Sequence, residues 1–322
     1  MKPKLSLPSG YAVQVTSTMQ RSGPAKLQKE SAAKPTRDEL EEWALKSGHA
    51  LELRAARALQ KLGLRDVGVS EYYRDPTDPV DRECDVVGSF DIGSSSTVDL
   101  PGGIPPPFRC TFVVECKYIK QSPWVVFLSG REVTAEVFFR SYPTNRAARI
   151  VTDSMGHLSA SPDLTVPPVT MELGHRIAPF DSKAENIRPK AEDSKGRPDK
   201  ANVPFHAVQS AIRAARARIK ADDPGDGAPR KPEIAIPVVA VDGELYDCSM
   251  SEKGRLRFRS SSGLLLLRTS WEDGYSRTLV PVVPIKSISL VVGLVVLGFS
   301  AMLGFPEQDQ APLTGGLADA PP

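Results

Sequence analysis

Apolar residues recur along this chain with two periods, and the change from one to the other marks out its elements. "PTRDELEEWALKSGHALELRAARALQKLGL" reads as helical. Thr36 and Glu39 have capping-box spacing, with acidic residues in the first turn. Gly48 breaks or kinks the region. Leu51, Ala55, Ala58, Leu59 and Leu62 then form a stripe at helical spacing, with Glu52 at its margin and Gly63 as a natural stop. The period then shortens to two. "RDVGVSEYYRDP" predicts a strand ending at Pro76. "DRECDVVGSF" predicts another, with Asp85 and Val87 on one face and Cys84 and Val86 on the other. The Gly/Ser/Pro-rich stretch "GSSSTVDLPGGIPPP" links it to "FVVECKYI", residues 112–119. There Phe112, Val114, Cys116 and Tyr118 share one face and Val113, Glu115 and Lys117 the other. The two strands predict a hairpin-like pair with a long loop between them.

Further along, "SPWVVFLSG" precedes a helical segment "REVTAEVFFRSY" and a strand "RIVTD". Residues 181–200 are dense in charge and read as a solvated insertion. "PFHAVQSAIRAARARIK" predicts an amphipathic helix with Phe205, Val208, Ile212, Ala215 and Ile219 inward and Arg213, Arg218 and Lys220 outward. "PEIAIPVVAVDGELYDC" reads as strand, turn at Asp242-Gly243, strand. "GLLLLRTSW" and "TLVPVVPI" are further short strands. Residues 288–305, "ISLVVGLVVLGFSAMLGF", carry no charge. As a helix this run would span about 27 Å, near the thickness of a bilayer's hydrocarbon. Lys286 before it and Glu307 and Asp309 after it would leave the main body in the cytoplasm, anchored to the inner membrane. The run reads equally well as a buried terminal helix or a pair of core strands.

The organisation expected is therefore a disordered arm over 1–35 and a domain over 36–286. A hydrophobic segment over 287–306 and a disordered tail over 307–322 follow. Within the domain, a core over 36–155 precedes the insertion at 181–200 and a C-terminal part over 203–286. Composition narrows the class only a little. The chain has 322 residues, is 40% hydrophobic and carries a formal net charge of +2, so a polyanionic partner is neither demanded nor excluded. Cys84, Cys110, Cys116 and Cys248 lack CxxC spacing and read as buried thiols in a reducing compartment. The N-terminus lacks a long apolar core, so secretion is not expected. The four histidines show no HExxH spacing, and neither GxSxG nor GxxxxGK[ST] occurs. No nucleotide cofactor is expected. Trp124 reads as a core anchor more than a base-stacking platform, and the helix over 204–220 as a solvated outer face more than a phosphate rail.

The chemistry sits in the two charges of "FVVECKYI". Asp85 and Glu115, on neighbouring strands, can give two carboxylate oxygens to a magnesium ion, and the backbone carbonyl of Cys116 a third. Such an ion polarises a phosphate oxygen and lowers the pKa of a bound water. Lys117, on the face of Glu115, can orient or help deprotonate that water or offset charge in the transition state. The competing reading is a Glu–Lys pair on an exposed edge strand, or a partly buried ion pair, either of which adds little stability. Acidic-x-Lys spacing alone is common. The triplets at Asp181 and Asp193 fall in the charged insertion and have no strand to hold them.

"HALELRAARALQKLGL", "RECDVVG" and "FVVECKY" together resemble the PD-(D/E)XK restriction-endonuclease-like superfamily, closest to bacterial Mrr-like restriction endonucleases. The resemblance covers residues 48–127. It implies an α/β fold, with a restriction-endonuclease-like core of mixed β-sheet flanked by helices. It further implies an Mg²⁺- or Mn²⁺-dependent endodeoxyribonuclease, acting on DNA in defence against foreign DNA or in DNA processing. Glu52, Asp85, Glu115 and Lys117 match the catalytic positions, with Asp85, Glu115 and the Cys116 carbonyl as metal ligands. Cys84 replaces the proline often found before the aspartate. Expected partners are DNA, a second copy of the chain and, if 288–305 spans a bilayer, the membrane. The alternative reading is a nuclease-fold protein that binds nucleic acid or a protein without cleaving, with or without a membrane tether.

Overall fold

The computed structural model describes residues 34–75, 80–92, 108–119, 122–133, 140–149, 171–180, 203–221, 231–261, 265–270 and 277–302. The arm up to 33, the loop at 93–107, the insertion at 181–200 and the tail at 307–322 lie outside them. Helices α1 (Arg37–Ser47) and α2 (His49–Lys61) lead into strands β1 (Arg65–Arg74), β2 (Asp81–Ile92) and β3 (Phe108–Tyr118). There follow β4 (Trp124–Val133), β5 (Met171–Pro179), helix α3 (Val203–Ala221), β6 (Glu233–Asp242), β7 (Leu245–Met250) and β8 (Leu256–Ser260). Last come β9 (Leu265–Ser270), β10 (Arg277–Pro284), a 3₁₀ turn Ile285–Ser287 and α4 (Ile288–Met302).

The local signals at the start act as expected. Thr36 caps α1 through its side chain, and Glu39 reaches back to the Thr36 N–H at 2.7 Å. Gly48, at φ 86°, turns α1 into α2 in a conformation that costs most other residues about 1 kcal/mol.

The ten strands join one mixed sheet in the order β1-β2-β3-β6-β10-β9-β5-β4-β7-β8. β1, β2 and β3 form an antiparallel meander, and β6 then inserts parallel to β3. β6 sits between β3 and β10, and nine of its ten residues are buried. That explains its nearly continuous apolar run, since a strand covered on both faces has no polar side. On one face, α2 and α4 pack through Leu51, Ala55, Leu59, Val291 and Val292 against Phe112, Val114, Ile236 and Val238. On the other, α3 packs through Val208, Ile212 and Ala215 against Val113, Val239 and Val241. Gly88 on β2 lets the end of α2 come close. A Cβ there would lie 3.2 Å from Leu64 and 3.3 Å from Leu59. A mixed sheet flanked by helices is thus what the chain forms. Trp124 lies in the core at 2% exposure, and all four cysteines are buried free thiols.

Several expectations are corrected. The expected order of strand, turn at Asp242-Gly243 and strand is present, although the two strands do not pair with each other. Gly243 has φ 150°, β7 runs on to pair in parallel with β4, and the links Ile119 N–H to Asp242 O and Trp124 N–H to Glu244 O carry the ladder across. The segment predicted as helical from Arg131 starts as the end of β4, and residues 134–139 lie outside the described set. Arg149, expected to open a strand, is in a helical turn over 146–149. Cys84 packs with Val87 and Val113, not with Val86, and it lies just before the point, Val86, where β2 begins to pair with β3. Phe205, placed in the apolar stripe of α3, is 53% exposed. Arg213 and Arg218 are half-buried, because small residues at Ala211, Ala214 and Ala215 bring the helix close to the sheet. The C-terminal run forms a helix over 288–302 with Ile288, Val291, Val292 and Val295 in the core. No helix among the described residues is long and apolar enough to cross a membrane.

The packing makes a direct prediction. Phe112→Ala, which empties a site at 1% exposure, is expected to destabilise the protein by about 3–5 kcal/mol in urea unfolding. Leu53→Gln, on the exposed side of α2, is expected to stay within about 0.5 kcal/mol of wild type. Equal losses from both would show that the core has been misplaced.

Candidate functional site

β2 and β3 pair in register from Ile92↔Phe108 to Val86↔Val114, and there the ladder stops. β3 stays tied to β6 as far as Tyr118↔Asp242. One side of β3 is therefore open at residues 115–117. The Asp85 carboxylate fills the opening, where its Oδ2 accepts the Cys116 N–H at 2.6 Å. A residue's N–H and C=O leave a strand on the same side, so the Cys116 carbonyl also faces this gap. Opposite Asp85 on β1 lies Ser70, between the pairs Val69↔Val86 and Glu71↔Cys84. Ser70 has φ 55°, a left-handed conformation that a non-glycine residue holds only under constraint.

Glu115 and Lys117 lie on the α3 face of β3, two residues apart. Lys117 Nζ meets Glu115 Oε1 at 2.5 Å. Glu52 comes from α2, on the other side of β3. It is buried, and its Oε2 lies 3.3 Å from His49 Nδ1 and accepts from Ser70 Oγ at 3.2 Å. The structure thus brings Asp85, Glu115 and Lys117 together and sets Glu52 at the edge of the group. Its charge reaches Asp85 more weakly than that of Glu115.

Three carboxylates face one ammonium here, and the electrostatics show the imbalance. Burial, then the charge of Glu115, push Asp85 up to about 6, although Lys117 and the Cys116 N–H pull it down. Burial alone would lower Lys117, but the charges of Glu115 and Asp85 outweigh it and hold its proton more tightly than usual. Lys117 is therefore suited to donate or to offset negative charge, and poorly suited to act as a base. Burial and the neighbouring carboxylates also push the Cys84 and Cys116 thiols up, so neither is a ready thiolate nucleophile.

Among the described residues, Asp85 Oδ1 and Glu115 Oε2 take no hydrogen bond. These two oxygens and the Cys116 carbonyl oxygen are donors of the chemical kind that a hard divalent cation takes. Among the described residues, no group of three or more His, Cys, Asp or Glu side chains is close enough to hold a metal ion alone. Glu52 therefore does not join Asp85 and Glu115 in such a group.

Spacing did not reveal several neighbours. Ser70 and His49 position Glu52. Arg54 Nη2 donates to Asp242 Oδ2 at 2.6 Å, tying α2 to the end of β6 beside Tyr118. Tyr73 is pushed up to about 12 by burial and by Cys84, Asp75 and Glu115. The capping motif and the helical stripe point to α2, but nothing in a linear pattern links residue 54 to 242.

The raised Asp85 makes stability depend on pH. Between its ordinary value of 3.8 and about 6, the folded protein keeps a proton that the unfolded chain releases. Stability therefore falls as pH rises through that window and levels off above it. In EDTA, Asp85→Asn, whose amide oxygen can still accept the Cys116 N–H, is expected to lose this slope and to exceed wild type at pH 7.5 by on the order of 2 kcal/mol. Parallel urea midpoints for the two proteins from pH 4 to 8 would refute the electrostatic assignment. No family model, no curated protein and no solved structure matches this chain.

Proposed function

We propose that the chain is a Mg²⁺-dependent DNA endonuclease with a restriction-endonuclease-like core. The observation that carries this reading is the meeting of Asp85, Glu115 and Lys117 at the break between β2 and β3, with negative charge in excess. The order supports it too, with Glu52 on a helix, Asp85 on the second strand and Glu115-x-Lys117 on the third. A structural Glu–Lys pair has no need of a second, half-buried carboxylate beside it, so the position of Asp85 favours a site over a merely structural pair.

In this reading Asp85, Glu115 and the Cys116 carbonyl hold the ion, which supplies Lewis-acid polarisation of the phosphate and a water of lowered pKa. The Cys116 N–H fixes the Asp85 carboxylate so that its second oxygen stays available. Lys117 fixes Glu115 in the same way and keeps an ammonium ready to offset charge that develops on the phosphate. Glu52, held by Ser70 and His49, orients polar groups at the rim. The strands keep these atoms in place, so little rearrangement is needed when charge builds up.

Two measurements test the proposal. With Mg²⁺ or Mn²⁺ the wild type is expected to nick or degrade plasmid DNA, and Asp85→Ala and Lys117→Ala to fall at least about 100-fold. Mg²⁺ is also expected to raise the melting temperature of wild type at pH 7.5 and not that of Asp85→Asn. A wild type that cleaves no better than both variants, or melting that ignores Mg²⁺ throughout, would end the reading.

A further inference from the structure

The β7–β8 hairpin carries charge that the site leaves unused. β8 is the last strand in the sheet order, and all five of its residues are exposed. Between 251 and 261 stand four cations, Lys253, Arg255, Arg257 and Arg259, and one acid, Glu252. Arg259 pairs with Asp247 at 3.0 Å. Among the described residues, Lys253, Arg255 and Arg257 have no ion-pair partner. Arg257 and Arg259 share one face of β8, about 6.7 Å apart, and Arg255 stands at the turn before them. Met250, Leu256 and Phe258 occupy the opposite face and are also exposed.

The root of the hairpin lies at the carboxylate end of β3 and β6, and Arg257, opposite Ser249, stands seven residues beyond Asp242, about 23 Å further along the strand and about one duplex width from the site. β3 and β6 run parallel, and both end at the level of Lys117 and Tyr118, paired with Val241 and Asp242. β7 begins three residues after Asp242, so the hairpin springs from the end of the sheet that bears the carboxylates. A second copy of the chain is a poor occupant for its edge. Antiparallel pairing of β8 with itself about Phe258 would set Arg257 against Arg259, and like charges directly opposite are destabilising.

We propose that Arg255 and Arg257 on this hairpin bind the phosphate backbone of duplex DNA and hold it beside the site. Arginine suits the role, because its planar fork takes phosphate oxygens two at a time. Such contacts position the duplex without reading its sequence. The inference rests on the nuclease reading for its choice of ligand, but binding in EDTA tests it apart from cleavage.

The test is fluorescence anisotropy of the full chain with a short labelled duplex, in EDTA, over a range of sodium chloride concentrations. Arg255→Ala/Arg257→Ala is expected to weaken binding about tenfold and to flatten the slope of log Kd against log salt by about 1.8. Met250→Ser/Phe258→Ser, on the opposite face, is expected to bind as wild type does. The proposal is overturned if the arginine variant binds with unchanged affinity and slope, or if only the apolar variant loses binding. It is also overturned if wild type binds anionic phosphatidylserine vesicles and not the duplex. Loss of binding in the arginine variant, with Asp85→Ala still cleaving like wild type, would sink the nuclease reading and keep the hairpin. Unchanged binding in the arginine variant, with Asp85→Ala inactive, would do the reverse.

Discussion

One hydrogen bond organises the middle of this protein, from the N–H of Cys116 to the carboxylate of Asp85. A β-strand whose neighbour departs must find new partners for its backbone, because a buried N–H left alone costs free energy. Here a side chain from the departing strand takes the place of the missing ladder bond. β2 can thus swing away from β3 without leaving the donor bare. The result is a gap in a sheet that is otherwise closely packed, lined with carboxylates and reached from both faces. Ser70, in its left-handed conformation opposite Asp85, sits on β1 where β2 departs, which ties the strain in β1 to the opening of the gap.

The electrostatics of the cluster work against stability. Buried Glu115 and half-buried Asp85 near one lysine leave negative charge in excess, and in the proposed reading a cation would offset it. Replacing such groups with apolar residues of similar size would often cost nothing in stability, so stability alone does not account for their presence. Lys117 neutralises Glu115 and, in the proposed reading, would also offset charge on a phosphate.

Much of this was legible in the chain. The capping box at Thr36, the stripe from Leu51 to Leu62 and the alternation around Glu115 are local patterns, and local patterns carry the periods of helix and strand. β6 was visible because it is buried on both faces. β8 was not, because "LRFRS" buries nothing and so leaves no stripe. β5 was also missed, since "MELGHRIAP" mixes charge and glycine within one strand. The parallel run of β7 beside β4 depends on contacts more than a hundred residues apart, and so does the Arg54–Asp242 pair. At the site, the residues were readable and their faces on β3 followed from period two. What could not be read was the end of the β2–β3 ladder, which gives Asp85 its partner, or the packing of Cys84 with Val87 and Val113.

The place of β6 and α4 in the fold also sets an order of events during synthesis. β3 is made early, yet its parallel neighbour β6 follows more than a hundred residues later, and the helix that supports α2 is the last described element of all. Until those segments leave the ribosome, β3 has an open edge and α2 lacks part of its bed. Such long-range closure is slow and exposes strand edges to wrong partners. It follows that the carboxylate cluster cannot reach its final rigidity until α4 has emerged, and that truncations reaching into α4 would loosen a site more than 170 residues upstream.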